Sequence, residues 1–178
     1  MATNDGNEFD VDQYKAVYEF QQKQFEQAKN QSVRLDDKAS KYLTFTAIII
    51  TAISIFAKEY FFGSSDDGHS LLFYPILFTI MLSVISLIVI SRFLFICLKV
   101  NEVEKLSSKI SMVEYWLDNP KSTIYYELSK QLSGIIDKYD SANSAKVKNL
   151  IKAFNEIKFC GLLLLVSVLL IVIEVILK

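Results

Sequence analysis

Three apolar runs, at residues 42–57, 70–91 and 159–173, constrain this chain more than any other feature of it. A bilayer core of roughly 30 Å is crossed by about 20 apolar residues in a helix. The second run is long enough alone. Flanking residues complete the other two, Tyr60-Phe61-Phe62 beyond the first and Val175-Ile176-Leu177 beyond the third. A soluble domain of 178 residues rarely gathers its apolar residues into three blocks. With only two prolines and five glycines, the chain is short of turn residues and suited to long helices. The expected fold class is all-α: an integral membrane protein with three transmembrane helices and a cytoplasmic helical bundle continuing them.

Charge placement predicts the orientation. Six Lys/Arg precede the first run, eleven lie between Arg92 and Lys158, and the loop between the first two runs holds only Lys58. Lys and Arg concentrate on the cytoplasmic side. The N-terminus and the long middle segment are therefore expected inside a bacterial inner membrane, and the short loop and the C-terminus outside. The organisation predicted is a cytoplasmic amphipathic helix at 1–41, a transmembrane hairpin at 42–98 with its outer loop at 63–70, a cytoplasmic helical stalk region at 99–158 and a third span at 159–178. The polar first 40 residues show no signal-peptide pattern, so the first span is expected to direct insertion. A net charge of −1 offers no field for nucleic acid, and none is expected as a partner.

Inside the cytoplasmic segments the apolar residues repeat every 3.5 positions. Val11, Tyr14, Tyr18, Gln21, Phe25, Ala28, Ser32, Leu35, Ala39 and Tyr42 form one such seam, running straight into the first span. It has two readings: a contact between copies, with Tyr14, Tyr18, Gln21 and Phe25 as its members, or packing on the same chain. Val103, Leu106, Ile110, Val113 and Leu117 form a second stripe, ended by Asp118-Asn119-Pro120. A further helix is predicted from Ser122 as N-cap, with the stripe Tyr125, Leu128, Leu132, Ile135 and Tyr139. A break is predicted at 140–144, and then Val147, Leu150, Phe154 and Ile157 lead into the third span.

The candidate functional residues are few. Thr44, Ala47, Thr51 and Ser54 on the first span, and Thr79, Ser83 and Ser86 on the second, form stripes of small hydroxyl residues. Such stripes serve close helix packing, or line a wet path in an oligomer. Arg92 is a snorkelling anchor at the interface, or else part of an anionic-ligand site or a gate. Glu174 is an acid inside a span, four residues before Lys178; it belongs at the outer headgroups, or in a ring of carboxylates at a pore. Lys146, Lys148, Lys152 and Lys158 form a basic cluster suited to anionic lipid or a nucleotide phosphate. His69 with Asp66 and Asp67 lacks a second His or Cys, so no metal is expected. Cys97 and Cys160 are read as free, small apolar residues. With no P-loop, GxGxxG, nucleophile elbow or paired-Cys site, neither an enzymatic reaction nor a cofactor is expected.

Residues 18–57, YEFQQKQFEQAKNQSVRLDDKASKYLTFTAIIITAISIFA, join a polar amphipathic helix to a Leu-Thr-rich span through Asp37-Lys38-Ala39-Ser40. Residues 154–164, FNEIKFCGLLL, repeat the style at the last span. Together these stretches, about a third of the chain, resemble small bacterial membrane effectors of anti-phage signalling, in the first place the PycTM-type effectors of Pycsar systems and then the SLATT membrane effectors. The resemblance implies an abortive-infection effector that oligomerises and permeabilises the inner membrane. Its trigger would be a cyclic nucleotide made by a partner cyclase. The sequence carries no recognisable nucleotide-binding domain, so such a ligand would bind among the helices. The alternative expectation is a non-pore membrane anchor or sensor subunit, recruiting a soluble partner through its cytoplasmic helices.

Overall fold

The computed structural model describes residues 5–62, 71–99 and 110–177. The outer loop at 63–70 with His69, Asp66 and Asp67, the seam positions Val103 and Leu106, and Lys178 lie outside the described residues. Four helices account for the described chain: α1 (Asp5–Phe62), α2 (Phe73–Leu98), α3 (Ile110–Asp118) and α4 (Lys121–Leu177), with no strand among the described residues. Three of them, α1, α2 and α4, are long and apolar enough to cross a membrane, their most apolar windows having mean hydropathies of 1.6, 2.5 and 3.0. The 26 residues of α2 extend roughly 39 Å at 1.5 Å per residue, more than a bilayer core needs.

The length of α1 and α4 follows from what they lack. Neither contains a proline, and Gly134 and Gly161 inside α4 cost only about 1 kcal/mol each relative to Ala. Pro75 sits in the first turn of α2, where no intrahelical donor is missed. Asp118 ends α3 as the sequence indicates. The Asn119 side chain then donates to the Tyr115 carbonyl at 2.8 Å, and the Pro120 carbonyl accepts from the Ile124 N–H at 3.1 Å. The first capping carbonyl of α4 is therefore that of Pro120, two residues before the expected cap Ser122.

The chain packs as two compact units: Met1–Arg34 with Val100–Ala145, and Leu35–Lys99 with Lys146–Lys178. These limits differ from the hydropathy limits, falling at 34 rather than 41 and at 145 rather than 158. The reason is α2. Its Cys97 thiol already reaches the Lys146 carbonyl at 3.8 Å, so three-helix packing begins well before the apolar runs do.

In the first unit α1 and α4 run parallel. Tyr14 and Tyr18 meet the adjacent Tyr126 and Tyr125, and Phe25 further along α1 meets Tyr139 further along α4, at ring-centroid separations of 6.2, 5.7 and 5.8 Å. Leu132 and Ile135 are buried there, each removal from water contributing about 1.5–3 kcal/mol. In the second unit α1 and α4 are again parallel, Tyr42 stacking with Phe154 at 6.5 Å, and α2 runs against them. Contacts from α2 to α4 descend as α2 ascends: Thr79 with Ser167, Ser83 with Cys160, Ser86 with Glu156. The core contains Leu35, Ala39, Leu87, Ile90, Leu94, Ala153 and Cys160.

Two expectations are corrected. The predicted break at 140–144 does not exist, since α4 is helical throughout. Asp, Ser and Asn lose only tenths of a kcal/mol in a helix, and a packed face outweighs that. The expected stripe on α3 is turned outward: Ile110, Val113 and Leu117 are exposed, and Met112 and Tyr115 are the partly buried residues. A nine-residue helix offers little over two turns, so its apolar stripe is too short to dictate which side packs.

The continuity of α4 is open to direct test. In hydrogen exchange on the full chain, the amides of residues 140–144 are expected to be protected to the same degree as those of 132–136. Exchange in that stretch at unstructured-peptide rates would restore the break.

Candidate functional site

Along α1 the residues that are at least partly buried recur in alternating steps of three and four: Val11, Tyr14, Tyr18, Gln21, Phe25, Ala28, Ser32, then Leu35, Ala39, Tyr42, Thr46, Ile49, Ile53. Residues in α2 repeat it through Ile76, Ile80, Ser83, Leu87, Ile90, Leu94, Cys97. In α4 the same spacing reads Leu132, Ile136, Tyr139, Asn143, then Lys146, Leu150, Ala153, Ile157, Cys160, Leu164, Ser167, Ile171, Glu174. This is the coiled-coil heptad. Tyr14, Tyr18 and Phe25 meet α4 of their own chain, and Gln21 lies partly buried among them, so the seam is occupied within the chain.

Polar residues interrupt these apolar seams, and they carry the local chemistry. In the first unit Asn143 is 2% exposed and donates through Nδ2 to the Ala28 carbonyl at 2.9 Å. Its Oδ1 has no hydrogen-bond partner among the described residues. A buried Asn in a heptad seam costs stability and fixes register. In the second unit the Lys146 ammonium donates to the Asp36 carboxylate at 2.6 Å, with 10% of the Lys146 side chain exposed against 42% for Asp36. Near the far ends of α1 and α4 the Tyr60 hydroxyl donates to the Glu174 carboxylate.

The expected sites sort differently from their sequence grouping. Ser83 and Ser86 are buried and Thr79 partly so, all at the contact with α4. Ser167 donates to Thr79 at 2.9 Å, and Ser86 to the Glu156 carbonyl at 3.4 Å. Within the chain this stripe lies at the α2–α4 contact, with the Thr79 and Ser83 hydroxyls donating to their own helix at the Ile76 and Thr79 carbonyls. Thr44, Ala47, Thr51 and Ser54 face outward. Their hydroxyls return to their own helix, Thr44 to Ser40, Thr51 to Ala47 and Ser54 to Ile50. Glu174 is only 7% exposed and turned toward α1, where it accepts from the Tyr60 hydroxyl.

The basic cluster does not converge. Lys146 is a core residue. Lys152 lies over the Phe93 ring at 5.6 Å, Lys158 over the Phe154 ring at 4.6 Å, and Lys148 and Arg92 are exposed. Helical spacing is the reason: Lys148 and Lys152, four residues apart, share a face of α4, while Lys146 and Lys158 lie on other faces. Cys97 and Cys160 are buried free thiols, and no group of metal-binding side chains occurs among the described residues. No family model, no curated protein and no solved structure matches the chain.

Asp36, Asn143, Tyr60 and Ser167 escaped the sequence reading. Asn143, Lys146, Ser167 and Glu174 all fall on the α4 heptad, and carrying the 3.5-residue pattern through 140–144 would have found them.

The unequal burial of the ion pair gives an expected asymmetry. Asp36→Asn leaves a charge in the core, whereas Lys146→Met leaves a carboxylate that water reaches. Asp36→Asn is expected to be the more destabilising, by about 1–3 kcal/mol, in thermal unfolding of the detergent-solubilised chain. Equal melting temperatures for the two variants would contradict the assignment.

Proposed function

We propose that this chain is a three-span effector of the bacterial inner membrane, with its N-terminus inside and its C-terminus outside. On a cytoplasmic trigger its copies associate and let ions pass. The observation that carries this reading is the continuity of α1 and α4. Each is one helix from a charged segment into an apolar one. A change at the charged segment can therefore bear on the apolar segment through the backbone of the same helix. A two-state change of this kind needs only a few kcal/mol of differential ligand affinity.

The outward stripe of α1 supports the association step. Thr44, Ala47, Thr51 and Ser54 follow the 3-4-3 spacing that suits close approach of another helix, and all four are exposed among the described residues. A path between copies would be wetted by these hydroxyls, whose oxygens keep lone pairs for water. The anti-phage setting and the cyclic-nucleotide trigger rest on the resemblance of residues 18–57 and 154–164 to the PycTM-type and SLATT effectors.

A second reading, an anchor or sensor subunit, is favoured by apolar residues exposed in the first unit. Val17 and Phe20 on α1, and Ile110, Val113 and Leu117 on α3, form surface that a soluble partner could cover.

The two readings part on membrane potential. Cells making the wild-type chain under infection are expected to depolarise. Thr51→Leu with Ser54→Leu should insert normally and leave the potential intact, because Leu dries and narrows the path. Retention of the potential by wild-type cells would discard the effector reading in favour of the anchor. Depolarisation by both chains would place the path elsewhere.

A further inference from the structure

The second unit has a groove between α1 and α4, in two successive stretches. The first, about 300 Å³, is lined by Leu35, Lys38, Tyr42, Leu150 and Phe154. The second, about 320 Å³, is lined by Phe45, Ile49, Ile157, Gly161 and Leu164, with Leu87 and Ile90 of α2 at its floor. Each is at the small end of ligand-site volumes. The stacked Tyr42 and Phe154 rings mark the first stretch. Gly161 helps keep the second open, because a Cβ built there would meet nothing within 4 Å.

The chemistry changes along the groove. The second stretch is lined by apolar side chains except for Thr46, whose hydroxyl donates to its own helix at the Tyr42 carbonyl, 2.8 Å away. Two cations sit by the first. Lys38 lines it directly, and the Lys158 ammonium lies 4.6 Å from the Phe154 ring, so its side chain leans back toward the N-terminal end of α4. Neither makes an ion pair among the described residues. The two acids next to Lys38 in sequence are already engaged, Asp37 by Lys41 at 2.7 Å and Asp36 by Lys146 at 2.6 Å. A basic mouth leading to an apolar slot matches one class of molecule that a membrane supplies: a phosphate-bearing head with a hydrocarbon tail.

We propose that this groove binds one anionic glycerophospholipid of the cytoplasmic leaflet, with its phosphate between Lys38 and Lys158 and an acyl chain along Phe45, Ile49 and Gly161. The site rests on the membrane reading above, and it makes the α1–α4 contact sensitive to the lipid around it. Lys near an anionic lipid head contributes about tenfold or less in affinity per residue.

The test is native mass spectrometry of the full chain in detergent, titrated separately with phosphatidylglycerol, phosphatidylcholine and inorganic phosphate. The wild type should retain one phosphatidylglycerol per chain, at least about tenfold tighter than phosphatidylcholine, and no inorganic phosphate. Lys38→Gln with Lys158→Gln should reduce phosphatidylglycerol to the phosphatidylcholine level. Gly161→Leu places a side chain in the slot, starting from a Cβ that meets nothing within 4 Å, and should weaken both lipids. Equal retention of the two lipids by the wild type, unchanged retention in either variant, or phosphate binding without lipid would overturn the proposal. If Gly161→Leu fails to fold, the lysine pair, exposed on the surface, decides alone. Alkaline carbonate extraction of native membranes separates this failure from that of the membrane reading. A chain that resists extraction yet shows no lipid preference loses only the site, whereas an extracted chain loses the membrane assignment.

Discussion

A straight α-helix drifts about 20° per heptad away from a strict seven-residue repeat, so a long helix keeps one neighbour only by supercoiling around it. Helices α1 and α4 hold that repeat over many turns, and in each packing unit they are parallel partners of one another. Everything else is fitted to this pairing. The seam of α1 is filled by its own chain. The face of α2 bearing Ile80, Ser83, Leu87 and Ile90 closes the second unit from the opposite direction. The outward hydroxyl stripe and the α1–α4 groove are what that arrangement leaves uncovered.

The seam is held by different forces along its length. In water, burial of Leu132, Ile135 and the tyrosine rings drives association. On the membrane reading proposed above the second unit would lie among lipid tails, where that driving force vanishes and close packing and hydrogen bonds take over. Both units bury large aliphatics, Leu132 and Ile135 in the first and Ile76, Leu87, Ile90 and Leu94 in the second, and the second also buries the small polar Thr46, Ser83, Ser86 and Ser167. Asn143 and the Asp36–Lys146 pair cost desolvation that apolar residues would not, and their return is register. A slip of α4 by one heptad would separate Lys146 from Asp36 and Asn143 from the Ala28 carbonyl.

Much of this was legible because it is periodic. Blocks of hydropathy place the three long apolar segments, and the spacing from Val11 to Tyr42 marks the buried side of α1. What hid the rest was local propensity. Asp140, Ser141, Asn143 and Ser144 look like a turn, and accepting a break there cuts the α4 heptad before its polar members. The seam was then placed at Val147 and Phe154, one position off the buried Lys146 and Ala153. Glu174 was matched to Lys178 because a sequence offers partners only on the same helix. Tyr60 lies 114 residues away, and no pattern within one helix points to it. The lysines at 146–158 were grouped by proximity in sequence, where the helical angle sets Lys146 and Lys158 on other faces than Lys148 and Lys152.

The central claim is that α1 finds its partner in its own chain, in parallel register. Cysteine cross-linking reads this most directly. In a background with Cys97 and Cys160 replaced by Ala, Ala28→Cys and Asn143→Cys are introduced together and oxidised in native membranes. A disulfide within a band of monomer mass is the result this account predicts, with none formed by Ala28→Cys paired with a cysteine at Ser129. A disulfide found only in a band of dimer mass would mean that the seam joins two copies, and the packing described here would be wrong.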